Sequence, residues 1–117
     1  TMDKPIEICP PVILHPHESM SGCFREHEIS GTLNVEGYIP RLVKITPDFK
    51  DEDFGGSGTC DNVIYVIEGD LTFHQEGEED QTAKCGSTIL VRKGAKYRVS
   101  TESDSSIFFS IVIHVPQ

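Results

Sequence analysis

Apolar and polar positions alternate through most of the second half of the chain, in short runs separated by glycine-bearing corners. Val63-Ile64-Tyr65-Val66-Ile67 is β-branched or aromatic at every position, the composition of a buried strand. Glu68-Gly69-Asp70 predicts a tight turn, because Gly69 is free to take positive φ. Leu71-Thr72-Phe73-His74 then alternates as a half-buried strand does. A polar turn follows at residues 76–80, then a weak strand at 81–84 and a corner at Cys85-Gly86. Residues 88–91 form another buried run, 92–95 a turn, and Lys96-Tyr97-Arg98-Val99 alternates again. Residues 106–115 predict a long final strand. Short strands at this spacing predict an all-β fold, an antiparallel barrel or sandwich.

The first half is less regular. Residues 24–29 and 32–38 read as weak strands around Ser30-Gly31, and 41–45 as a clearer strand ending at Thr46-Pro47. Residues 48–61 form an acidic, glycine-rich loop. Its carboxylates could suit Ca²⁺, but their spacing matches no recognised calcium loop and predicts a solvated one. Pro5, Pro10, Pro11 and Pro16 mark residues 1–21 as an extended arm, with short edge strands expected at 6–9 and 12–15. The arm can pack on its own barrel or cross to a second subunit; residues 22–117 form the single barrel.

Two segments carry a resemblance. Tyr65-Val66-Ile67-Glu68-Gly69-Asp70-Leu71 is similar to the hairpin of the first cupin motif, and residues 86–97 resemble the second. The resemblance implies a jelly-roll barrel, a double-stranded antiparallel β-helix. Placed position by position, the family's metal-binding glutamate falls on Asn62 and its two first-motif histidines within Gly55-Gly56-Ser57-Gly58. In the second motif Arg92 stands at the proline and Tyr97 at the histidine. Divalent ions need several converging oxygen or imidazole ligands, and Gly, Asn and Tyr do not form that set. No metal and no cofactor is therefore expected. Val91-Arg92-Lys93-Gly94-Ala95-Lys96-Tyr97 and Ile107-Phe108-Phe109-Ser110-Ile111 further resemble the non-catalytic C-terminal cupins of centromere protein C, with Arg92 and Ala95 as departures.

Both faces of two strands are apolar. If Asn62 points into the barrel, as the motif implies, Ile64 and Val66 do too, joined by Tyr97 and Val99. Tyr97 is expected to fill the space a metal would occupy. Val63, Tyr65 and Ile67 then point outward. With Phe108 and Val112 they form the expected dimer interface, because a row of such side chains left in water makes an unusual patch.

The sequence has 117 residues, enough for one domain with its own core. Thr1 before Met2 reads as a residue left by cloning. No run is long enough for a transmembrane helix, no signal-peptide pattern is visible, and no membrane partner is expected. A net charge of −9 argues against direct DNA binding, which needs clustered Lys and Arg. Cys9, Cys23, Cys60 and Cys85 form no C-x-x-C pair and are expected to be reduced. His15, His17, Cys23 and His27 have the donor types of a tetrahedral zinc site, yet none lies at a cupin ligand position; histidines in a proline-rich arm read as surface residues. No Ser/His/Asp arrangement is supported by local sequence, so no catalytic residue is assigned.

The resemblance implies a non-enzymatic homodimerisation domain of a nuclear centromere and kinetochore scaffold, with itself and a centromere assembly protein as partners. The alternative is a divergent metabolic cupin, a small isomerase or a sugar- or amine-handling enzyme, or a small-molecule sensor. A scaffold should have a filled barrel and a large apolar interface. An enzyme should have a pocket with convergent polar groups of perturbed pKa, and a sensor an open pocket without catalytic groups.

Overall fold

The computed structural model describes residues 13–21, 24–26, 38–49 and 55–115, together with 6, 8 and 11. Among them are nine strands: β1 (Ser19–Ser21), β2 (Phe24–Glu26), β3 (Tyr38–Ile45), β4 (Cys60–Glu68), β5 (Asp70–His74), β6 (Gln81–Lys84), β7 (Thr88–Val91), β8 (Arg98–Ser100) and β9 (Ser106–His114). They form a six-stranded sheet ordered β2-β1-β3-β9-β4-β7 and a three-stranded sheet ordered β6-β5-β8. All named pairings are antiparallel. The edge strands expected at 6–9 and 12–15 do not appear among the described residues there, and β1 is the first strand. The strands expected at 24–29 and 32–38 fall largely outside the described residues, which hold only β2 and the start of β3.

The core lies between the two sheets. Val43 and Ile45 of β3, Ile64 and Val66 of β4, Leu71 and Phe73 of β5, and Phe108 of β9 are buried together. Tyr97 and Val99 are half-buried and pack against this cluster. In an antiparallel ladder, directly opposed residues share a face. Ile64 lies opposite Ser110, Val66 opposite Phe108 and Asn62 opposite Val112. Phe108 is 6% exposed, so it belongs to the core and not to the expected interface. Val112, half-buried on the same face of β9 as Phe108, is likewise turned away from the Tyr65 side. Both faces of β9 are apolar, and only pairing with β4 decides which one enters the core.

The outward face is then Val63, Tyr65 and Ile67 with Phe109, Ile111 and Ile113, since Tyr65 lies opposite Phe109 and Val63 opposite Ile111. Leu90 of β7, opposite Val63, extends it. Tyr65 and Ile67 are each 46% exposed and Leu90 50%.

Gly69 has φ +75° at the β4–β5 corner, and a Cβ there would collide with the Ser106 hydroxyl and the Ser105 carbonyl. That crowding reflects a tie. The Ser106 hydroxyl accepts the Asp70 amide at 3.0 Å. The Asp70 carboxylate accepts the hydroxyls of Thr101 at 2.9 Å and Ser103 at 2.7 Å, and the Glu102 amide at 3.2 Å. One carboxylate thus clamps the β8–β9 connection to the start of β5.

Candidate functional site

β6 ends the three-stranded sheet and β7 ends the six-stranded one. Between these two edges the barrel wall opens into a cavity of about 310 Å³. Phe73, Ala83, Ile89 and Val91 supply inward side chains along β5, β6 and β7. Tyr97 lines the space beside Phe73, with ring centroids 5.8 Å apart, and Leu90 and Ala95 add apolar surface. The polar lining is Gln75, Gln81, Thr82, Arg92 and the Tyr97 hydroxyl. The side chains of Gln75, Gln81 and Arg92 and the Tyr97 hydroxyl have no hydrogen-bond or ion-pair partner among the described residues. Tyr97 therefore borders the opening and does not fill it. The free thiol of Cys85 lies outside the lining and donates to the Ile67 carbonyl at 3.1 Å.

The rim is zipped from the far side. Gly55 and Tyr97 exchange backbone hydrogen bonds at 2.8 and 2.7 Å, and the Gly94 amide donates to the Ser57 carbonyl at 2.7 Å. Gly56, at φ +138°, lies so close to the Ala95 carbonyl that a Cβ would overlap it. Gly56 thus serves close backbone approach to the 94–97 segment. The fold brings the cupin metal positions to this end of the barrel but with other residues in them. The Asn62 side-chain carbonyl already accepts the Ser110 hydroxyl at 2.5 Å, and Arg92 is a cation. This donor set does not suit a metal ion. Among the described residues no cluster of three or more His, Cys, Asp or Glu could hold one.

Of the four zinc candidates the structure describes His15 and His17. His17, at φ +63°, sets its ring nitrogen 3.0 Å from the Thr46 hydroxyl and its ring against Phe49. His15 is exposed, and Cys23 and His27 lie outside the described residues. In the adjoining turn the Thr46 hydroxyl donates to Asp48, whose carboxyl is held below its ordinary range mainly by that bond.

One arrangement escaped the sequence. On the outer face of the small sheet, His74 Nε2 lies 2.7 Å from the Ser100 hydroxyl and Nδ1 lies 2.9 Å from Asp80. Two of these residues come from paired strands and the third from the β5–β6 connection, so no local motif announces them. None of the three lines the cavity. A hydroxyl on an open sheet face lacks the concave site and oxyanion donors that acyl transfer needs, and the group reads as a cross-strand tie. The cavity-lining Gln75, Gln81 and Ala83 were also missed; the available signal was the weak strand at 81–84 directly ahead of the second motif.

No protein-family model and no curated sequence matches the chain. Solved structures do. An RmlC-like cupin with a double-stranded β-helix fold from Methanocaldococcus jannaschii aligns over 95% of this chain and 94% of its own, with TM-score 0.66 at 16% identity. A protein from Neisseria meningitidis aligns over 86% and 88%, with TM-score 0.64 at 20% identity. A cupin-2 domain protein from Shewanella frigidimarina aligns over 73% and 76%, with TM-score 0.54 at 20% identity. With an all-antiparallel barrel and a cavity opening at the second-motif strand, this chain has the cupin fold, a double-stranded β-helix.

Proposed function

We propose that this chain is a non-catalytic cupin that binds a small organic molecule in the cavity between β6 and β7. The observation that carries this reading is the cavity itself. A scaffold barrel would be filled, whereas here about 310 Å³ opens onto Phe73, Ile89, Val91 and Tyr97. That volume is at the small end of ligand sites, and an apolar floor with a few polar groups at the rim is their usual make-up. Among the described residues the lining holds no carboxylate and no imidazole, so these residues offer no paired acid and base for turnover. Two-dimensional amide spectra of the ¹⁵N-labelled protein, recorded with mixtures of small organic acids, amines and sugars, test the reading. Shifts confined to residues 73–75, 81–83 and 89–97 are expected. A protein whose cavity amides stay unmoved at millimolar concentrations of every mixture would overturn it.

A second reading has its own observation. The Tyr65 face exposes Tyr65, Ile67, Leu90, Phe109 and Ile113 together. The carboxylates of β4 on or beside this face stand at its ends, Asp61 and Glu68. In a chain of net charge −9, this is a surface where a second copy can dock without opposing its acidic loops. Self-association through this face is the element of the centromere protein C resemblance that the geometry favours. Apart from Leu90, which borders both, the cavity is lined by other residues, so self-association is compatible with a ligand there.

A further inference from the structure

Resting on the reading of the cavity as a ligand site, we propose that its occupant is a small monocarboxylate with an apolar body, its carboxylate held by Arg92. Among the described residues Arg92 is the one charged side chain in the lining. It is exposed and has no ion-pair partner among the described residues. The turn that carries it is fixed through its own backbone amides: Ala95 N donates to the Arg92 carbonyl at 3.2 Å, Gly94 N to the Ser57 carbonyl at 2.7 Å, and Lys93 N to the Asp61 carboxylate at 2.8 Å. A guanidinium rooted on such a turn presents a planar fork that matches the two oxygens of a carboxylate. The unpartnered amides of Gln75 and Gln81 can donate to the same group. Below the rim, Phe73, Ile89 and Val91 accept only an apolar body.

The surrounding charge narrows the choice further. Glu76, Glu78, Glu79 and Asp80 are exposed on the turn that joins Gln75 to Gln81. A phosphate dianion or polyphosphate would bring its second charge toward these carboxylates with no further cation among the described lining residues. A single carboxylate is matched by the single guanidinium. The acidic turn thus favours monoanions over polyanions, and the fork favours anions over neutral isosteres.

Octanoate and octanamide are the probes, because they share shape and differ in charge. Amide shifts in the ¹⁵N spectrum locate each ligand and give its affinity. Octanoate is expected to shift residues 81–83 and 89–97 and to bind at least about tenfold more tightly than octanamide, in line with one charge-assisted pair. Arg92→Gln removes the charge from an exposed turn none of whose anchoring bonds uses the Arg92 side chain. It should bring the affinity for octanoate down to that for octanamide and so abolish the ratio. Equal affinities in the wild type, or a ratio that survives Arg92→Gln, overturn the carboxylate assignment while leaving the cavity as a ligand site. The assignment also falls, and the site stands, if octanoate moves no cavity amide but an amine or sugar does. Octanoate shifts confined to outward residues of β4 and β9 overturn it as well, as adsorption to the apolar face. Silence of the cavity toward every compound overturns both this assignment and the reading beneath it.

Discussion

Phe108 and Phe109 are neighbours of identical chemistry with opposite environments. Phe108 is buried with Val66 and Leu71, while Phe109 is 37% exposed beside Tyr65. Phe108→Ala should therefore cost about 3–5 kcal/mol of stability, and Phe109→Ala under about 1 kcal/mol once self-association is excluded by dilution. Urea unfolding monitored by circular dichroism gives both values, and similar losses would contradict the assigned faces. Tyr97 provides a second contrast. Its hydroxyl has no partner among the described residues, so Tyr97→Phe should move stability by no more than about 0.5 kcal/mol. A loss well above about 1 kcal/mol would reveal a buried bond and a filled barrel end.

At the scale of elements, the clamp at Asp70 joins three pieces of chain: the β4–β5 corner, the β8–β9 connection and the start of β9. The Ser103 hydroxyl foremost, helped by Thr101 and the Glu102 amide, holds the Asp70 carboxyl below its ordinary value, against an opposing effect of burial that is second in size to Ser103. A carboxyl with a depressed folded-state pKa contributes stability above its unfolded value, near pH 4, and loses it as pH falls through the lower folded value. Asp70→Asn should cost about 1.5–3 kcal/mol at neutral pH, the worth of hydrogen bonds to a charged group. It should also flatten the decline in stability below about pH 4 relative to wild type. Thermal unfolding from pH 2 to 7 decides this, and parallel profiles for the two proteins would count against the clamp. Gly69→Ala tests the same corner from the backbone side. Positive φ alone costs about 1–3 kcal/mol, and the crowding by Ser105 and Ser106 adds to it.

For the whole molecule, the opposing quantities are a net charge of −9 and an apolar sheet face. Two copies would repel at long range and, on the proposed second reading, adhere at contact. Light scattering at high micromolar concentration should give twice the chain mass, with association strengthened by salt, since screening removes repulsion and leaves apolar contact intact. Tyr65→Glu should give a folded monomer. Phe108→Glu should unfold, because it places a charge in the core and not at the interface. A wild type that remains monomeric in high salt would leave the face without its second copy.

The sequence by itself determined the strands from β4 to β9, because period-two alternation and glycine corners are local properties of the chain. Gly69, Gly86 and Gly94 were readable as corners for the same reason, and all three take positive φ. The cupin fold followed from the two motif segments. What tertiary structure alone decided is parity and space. Phe108 and Val112 were assigned to the wrong face because both faces of β9 are apolar, and a one-residue shift of register exchanges them. The cavity could not be read at all. Its walls, Gln75 to Ala83 on one edge and Ile89 to Arg92 on the other, belong to different sheets, and the width of a gap between two edges is a property of packing, not of either strand. The Ser100-His74-Asp80 tie was hidden likewise, since its members meet only through the β5–β8 ladder and the β5–β6 connection. Tyr97 shows the boundary most clearly: its place in the second motif was legible, but whether it closes the barrel or borders an opening depended on how far β6 stands from β7.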